Sequence, residues 1–211
     1  MKPFKLFPIL LSFFLLTSCA QTELSPQTYL AHKGLGVQTQ TAFQQCHGYG
    51  CKFIKTVSLT SGEWERLEAL FQPAPETPEA ERALLSRAIG LFEELVGPKT
   101  NTAHDIAGTF RKLGDTQLDC VDESTNTTVY LSVMKQRGLI HFHDIAPPMM
   151  RLPLINAGHW PHQTAVLRET KTSAPYAVDS WFRNNGAPAD IVPLKQWKDG
   201  WKPKNIGESW L

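Results

Sequence analysis

The stretch Gly114-Asp115-Thr116-Gln117-Leu118-Asp119-Cys120-Val121-Asp122-Glu123 decides how this chain is read. Turn-forming residues lead into a cysteine, and a helix-length segment from Cys120 to Arg137 follows, closed by Gly138. Asp119 or Thr116 suits the N-cap of that helix, and Gly138 suits the C′ position that ends it. Cys120 then falls in the first turn, where unpaired backbone N–H groups and the positive end of the helix dipole favour a thiolate. A thiolate is the form that attacks carbonyl carbon. A buried cysteine acting as a small apolar core residue is the alternative.

Working outward, the N-terminus bears on the compartment. Lys2 and Lys5 precede an apolar run, Leu6 to Leu16, that is too short to span a bilayer as a stable helix. It ends in Leu16-Thr17-Ser18-Cys19-Ala20, which looks like a bacterial lipobox, so residues 1–18 are expected to be a signal peptide and Cys19 the lipidated residue. An ordinary secretory signal cleaved nearby is the alternative. Either way the chain is expected to leave the cytoplasm for the cell envelope, and Ala20 after Cys19 points to the outer membrane, facing the periplasm. Loss of Lys2 and Lys5 turns the formal charge of +1 into −1. A near-neutral balance offers no reason to expect nucleic acid as a partner.

The four cysteines then divide. Cys19 takes lipid. Cys46 and Cys51 flank the loop His47-Gly48-Tyr49-Gly50 and are expected to form a local disulfide in an oxidising compartment. Cys120 is left unpaired, which favours use over burial.

Residues 19–40 are polar, with Ser25-Pro26, Gly34 and Gly36, and read as a tether to a single folded domain, 41–211. Lys52 to Leu59 reads as a short strand. Thr60-Ser61-Gly62-Glu63 resembles a capping box ahead of a helix with Trp64, Leu67, Leu70 and Phe71 on one face. Thr77 and Pro78 open the next helix, with Leu84, Ala88, Leu91 and Leu95 on one stripe; Gly97-Pro98 is expected to stop it. A shorter helical piece, His104 to Leu113, is expected before the cysteine. Thr125, Thr127, Thr128, Val129 and Val133 are mediocre helix formers, so the Cys120 helix must be held by packing at the centre of the domain. Beyond Gly138 the pattern changes to strands: Leu139 to His143, then, past loop-making Pro147-Pro148 and Pro153, Thr164 to Glu169 and Tyr176 to Phe182 as an antiparallel pair. Helices first and strands later is an α+β arrangement.

His162 sits at the mouth of the first strand of that pair and Asp179 lies within the second. On neighbouring strands both reach the N-terminus of the Cys120 helix. His162 takes the thiol proton and returns it to the leaving group, while Asp179 orients the ring. Backbone N–H groups at the helix start are expected to hold the oxyanion, with Gln117 as a side-chain donor. His159 rivals His162 as base. A zinc site built from His141, His143, His159 and His162, with Asp144 adjacent, is the competing chemistry. The C-terminal tryptophans Trp197, Trp201 and Trp210 are expected to cover the core edge.

Asp119-Cys120-Val121-Asp122-Glu123, the run from His162 to Leu167, and Val178-Asp179-Ser180 together resemble the bacterial transglutaminase-like cysteine peptidases of the papain-like superfamily. The resemblance covers about Thr109 to Trp197. It implies a papain-like α+β fold, N-terminal helices packed on a small antiparallel sheet, with Cys120 as nucleophile, His162 as base and Asp179 as orienting acid. It implies cleavage of a peptide or amide bond in an envelope protein or a peptidoglycan peptide. An acyl transferase or peptidoglycan amidase with the same triad, or a silent lipoprotein that binds a partner at the old cleft, are the other readings. No cofactor is expected, although some relatives hold calcium through acidic residues around the cysteine, of which Asp119 and Asp122 remain here.

Overall fold

The computed structural model describes residues 24–109, 113–152 and 161–204. Within them the chain is α+β. Two antiparallel sheets are present, a hairpin of β1 (Phe43–His47) with β2 (Phe53–Val57) and a four-stranded sheet. The latter runs β3 (His143–Arg151), β4 (His162–Glu169), β5 (Pro175–Asp179), β6 (Asp190–Pro193), each strand beside the next. The helices are α1 (Pro26–His32), α2 (Ser61–Ala69), α3 (Pro78–Thr100), α4 (Cys120–Gln136) and α5 (Leu194–Lys198).

α4 is the centre of the molecule, and all residues from Asp122 to Met134 are buried. A helix buried all round normally has little polar content; this one has a great deal, and most of its groups are matched, the Tyr130 hydroxyl being the exception among the described residues. Thr128 and Ser132 return their hydroxyls to carbonyls one turn back. Thr125 bonds the Tyr29 hydroxyl at 3.0 Å and Thr127 bonds Ser180 at 3.2 Å. Asn126 pairs with the backbone of Cys46 in both directions, accepting from its N–H and donating to its C=O, each at 2.8 Å. Thr125, Asn126 and Thr127, poor helix formers in isolation, therefore tie the helix to α1, β1 and the chain after β5. Val129, Leu131, Val133 and Met134 complete the core with Leu85, Ile89 and Phe92 of α3 and with Ala165, Leu167 and Val178 of the sheet.

Several expectations are met locally. Thr60 and Glu63 form a reciprocal capping box on α2, and Thr77 caps α3 with Pro78 in its first turn. Asp119 caps α4, and Gly138 sits just beyond its end with φ +78°.

Others are corrected. The tether drawn over residues 19–40 does not hold from Ser25 onward. Ser25 caps α1, and Tyr29, Leu30 and Leu35 belong to the main core. Gly97-Pro98 does not stop α3. Pro98 removes one hydrogen bond near a C-terminus that runs on to Thr100, and Asn101 ends it in the left-handed conformation at φ 68°. Gly97 is required for close approach instead, since a Cβ there would lie 2.8 Å from the Cα of Ala103. The described part of the piece His104 to Leu113 is a series of turns. The strand expected at Leu139 to His143 begins only at His143 and continues through Pro147-Pro148, where the register shifts between Ala146 and Met149. Two prolines are tolerated because β3 is an edge strand and the shift is a bulge.

Candidate active site

Asp119 builds the start of α4. Its Oδ1 accepts the N–H groups of Val121 and Asp122, both at 2.9 Å, and Asp122 returns a bond to the Asp119 N–H at 3.2 Å. Asp122 is buried and also accepts from the N–H groups of Tyr49 and Cys51, at 2.7 and 2.6 Å. The Cys46–Cys51 disulfide closes that loop. The hairpin tip is thus docked on the first turn of the helix that carries Cys120.

Cys120 is the free cysteine of the described residues and is partly buried. Burial pushes its thiol up to about 12, and the Asp119 and Asp179 carboxylates push the same way, against a hydrogen bond from the backbone N–H of Gln163. The expectation that the helix end favours a resting thiolate is therefore corrected. Withdrawal from water and two nearby negative charges both favour the neutral thiol.

Gln163 follows His162, the first residue of β4. His162 Nε2 is 2.7 Å from Asp179 Oδ2, and the same oxygen accepts the indole N–H of Trp197 at 2.7 Å. His162, Asp179 and Trp197 are all buried. Trp181, Phe182 and Trp197 surround the imidazole, with ring centroids 4.7, 5.1 and 5.5 Å away. His162 Nδ1 is buried and has no hydrogen-bond partner among the described residues. A carboxylate acceptor on Nε2 fixes that nitrogen as the N–H of the neutral ring and leaves Nδ1 as the lone-pair nitrogen. β4 and β5 are neighbours, as the sequence requires, so the fold brings His162 and Asp179 together and sets the Cys120 sulfur on the amide next to His162.

Gln117 lies elsewhere in purpose. Its Oε1 accepts from the Ile106 N–H at 3.1 Å and its Nε2 donates to the His104 carbonyl at 2.9 Å. It pins the preceding loop, and the oxyanion role expected of it is withdrawn. The N–H groups of Val121 and Asp122 are likewise taken by Asp119. The zinc alternative loses its pairing of His143 with His162. His143 is fully buried between Glu81 at 2.8 Å and Arg82 at 3.0 Å, and it pairs in register with Glu169, at the far end of β4 from His162. Among the described residues the one grouping with metal-like spacing is Cys46, Cys51 and Asp122. Its sulfurs are bonded to each other, which removes them as thiolate ligands. His159, Cys19 and Trp210 lie outside the described residues.

Sequence reasoning missed the surroundings of His162. Trp197 was expected at the core edge and instead holds Asp179; the signal was the density of tryptophan after β5. No family model, curated protein or solved structure matches this chain.

Proposed function

We propose that this protein is a cysteine hydrolase that cleaves a peptide or amide bond through an acyl-enzyme intermediate. The observation that carries the reading is the buried imidazole of His162. Asp179 holds one nitrogen, the other has no partner, and the neighbouring amide is bonded to the only free sulfur among the described residues. Nδ1 takes the Cys120 proton as the sulfur attacks the carbonyl carbon, and Asp179 stabilises the imidazolium that forms. The C–N bond breaks as Nδ1 gives its proton to the leaving nitrogen, leaving a thioester. Water then attacks with His162 as base and restores the thiol. A papain-like, transglutaminase-like fold accounts for a cysteine at a central helix start beside a histidine on an antiparallel strand.

The thiol that rests protonated is the observation favouring the second reading, a silent lipoprotein that binds a partner. An acyl transferase or amidase differs from the hydrolase only in the acceptor of the acyl group.

The protein is proposed to act in the bacterial envelope, anchored through lipid on Cys19, on a protein or a peptidoglycan peptide. The Cys46–Cys51 disulfide supports an oxidising compartment. Among the described residues no helix is long and apolar enough to cross a membrane. Envelope proteins and muropeptides incubated with the protein and with its Cys120→Ala variant test the activity. Fragments formed only with Cys120 present support the hydrolase; identical patterns support the silent reading.

A further inference from the structure

Arg151 is the last residue of β3 and stands directly opposite His162 in the sheet. Directly opposed residues of an antiparallel pair share a face. The guanidinium lies over the Trp197 ring, 4.6 Å from its centroid, and that indole also holds Asp179. Nη1 donates to the carbonyls of Trp197 and Trp201 at 2.8 and 2.9 Å. Among the described residues Nε, which is buried, has no partner, and no carboxylate pairs with Arg151.

Among the described residues this sets it apart. The other two half-buried arginines of the described residues, Arg82 and Arg183, each hold a carboxylate. Arg183 does so through its Nε and Nη2 edge, at 2.8 Å from each nitrogen to Asp190. The same edge of Arg151 makes no hydrogen bond. A cation drawn partly out of water with a buried donor unmet is costly, and the charge acting on it from the candidate site is that of Asp179.

We propose that Arg151 is a specificity-determining residue that takes a carboxylate of the substrate on Nη2, the guanidinium nitrogen that is neither buried nor bonded among the described residues, beside the bond Cys120 attacks. The substrate class is a peptide with a carboxylate flanking the cleaved bond, supplied by an acidic side chain or by a free chain end. This rests on the hydrolase reading for the position of the bond, whereas carboxylate capture is measurable without turnover.

Calorimetry on the full chain carrying Cys120→Ala separates the cases, with three probes: acetyl-Ala-Glu-Ala-amide, acetyl-Ala-Ala-Ala with a free carboxylate, and neutral acetyl-Ala-Gln-Ala-amide. A carboxylate probe is expected to bind about ten- to a hundredfold more tightly than the neutral one, and the tighter of the two names the source. Arg151→Gln abolishes the preference and Arg151→Lys keeps part of it. Equal binding of all three, or none, overturns the proposal, as does equal weakening of all three by Arg151→Gln, which marks a structural role. Turnover by the protein with Cys120 intact is read apart. Carboxylate preference without cleavage removes the hydrolase and keeps the anion site; cleavage without preference does the reverse.

Discussion

The Cys120 thiol rests protonated, so under the proposed hydrolase reading its reactivity must come from a base and not from the helix end. With its ionisation pushed up from 9.0 to about 12 by burial, iodoacetamide is expected to label it slowly at pH 6 and faster with each unit above. Rapid labelling at pH 6 contradicts this. The same shift has a stability sign. A thiol that ionises later when folded favours the folded state below about pH 9, and that contribution is lost as pH rises toward 12. Asp179 bonds the ring directly and bears on the sulfur only through its charge. Asp179→Asn retains an acceptor for Trp197 but lets His162 adopt the wrong tautomer, and turnover is expected to fall by about two to four orders of magnitude, read from kcat on any cleaved peptide. Undiminished kcat removes Asp179 from the mechanism. At this scale the sequence was informative where residues sit at element boundaries. Cys120 after its cap and His162 at a strand start were legible. Burial of the thiol was not, because it depends on elements distant in sequence, and neither was Gln117, whose amide direction is set by the loop around Ile106.

At the scale of elements, α4 is held by polar side chains that reach its neighbours. Asn126→Ala leaves the N–H and C=O of Cys46 unpaired in the core, and a loss of about 3 kcal/mol in denaturant unfolding is expected; less than about 1 kcal/mol contradicts the assignment. Gly90→Ala is expected to be at least as damaging, because its Cβ would lie 2.8 Å from backbone atoms of Gly186 and Ala187. The caps of α2, α3 and α4 were readable because capping is local. β1, β6 and the α1 packing were not: short segments such as Phe43–His47 acquire their structure only from partners, here β2 and α4. Pro147-Pro148 misled for the same reason, since a proline pair is excluded from a central strand and allowed in an edge strand with a bulge.

The whole molecule carries a group of buried acids behind the site. Burial raises Glu93 to about 8, opposed by the Gly186 N–H and helped by Asp105; it raises Asp105 and Asp122 to about 7 and Glu123 well above its usual range. All four bind protons more tightly folded than unfolded. Their contribution is complete below the ordinary carboxylate range and is lost as pH rises through about 7 to 8. Tm is therefore expected to fall from pH 5 to pH 8, and Glu93→Gln, which keeps an acceptor for Gly186, is expected to flatten that slope; a Tm rising over this interval contradicts the arrangement. The account as a whole stands on proton transfer between Cys120 and His162. Its most direct test is mass spectrometry of the protein after brief exposure to p-nitrophenyl acetate. One acetyl group on Cys120, formed about a hundredfold more slowly in His162→Gln, is the predicted result; equal rates in the two proteins, or acetylation that spares Cys120, would contradict it.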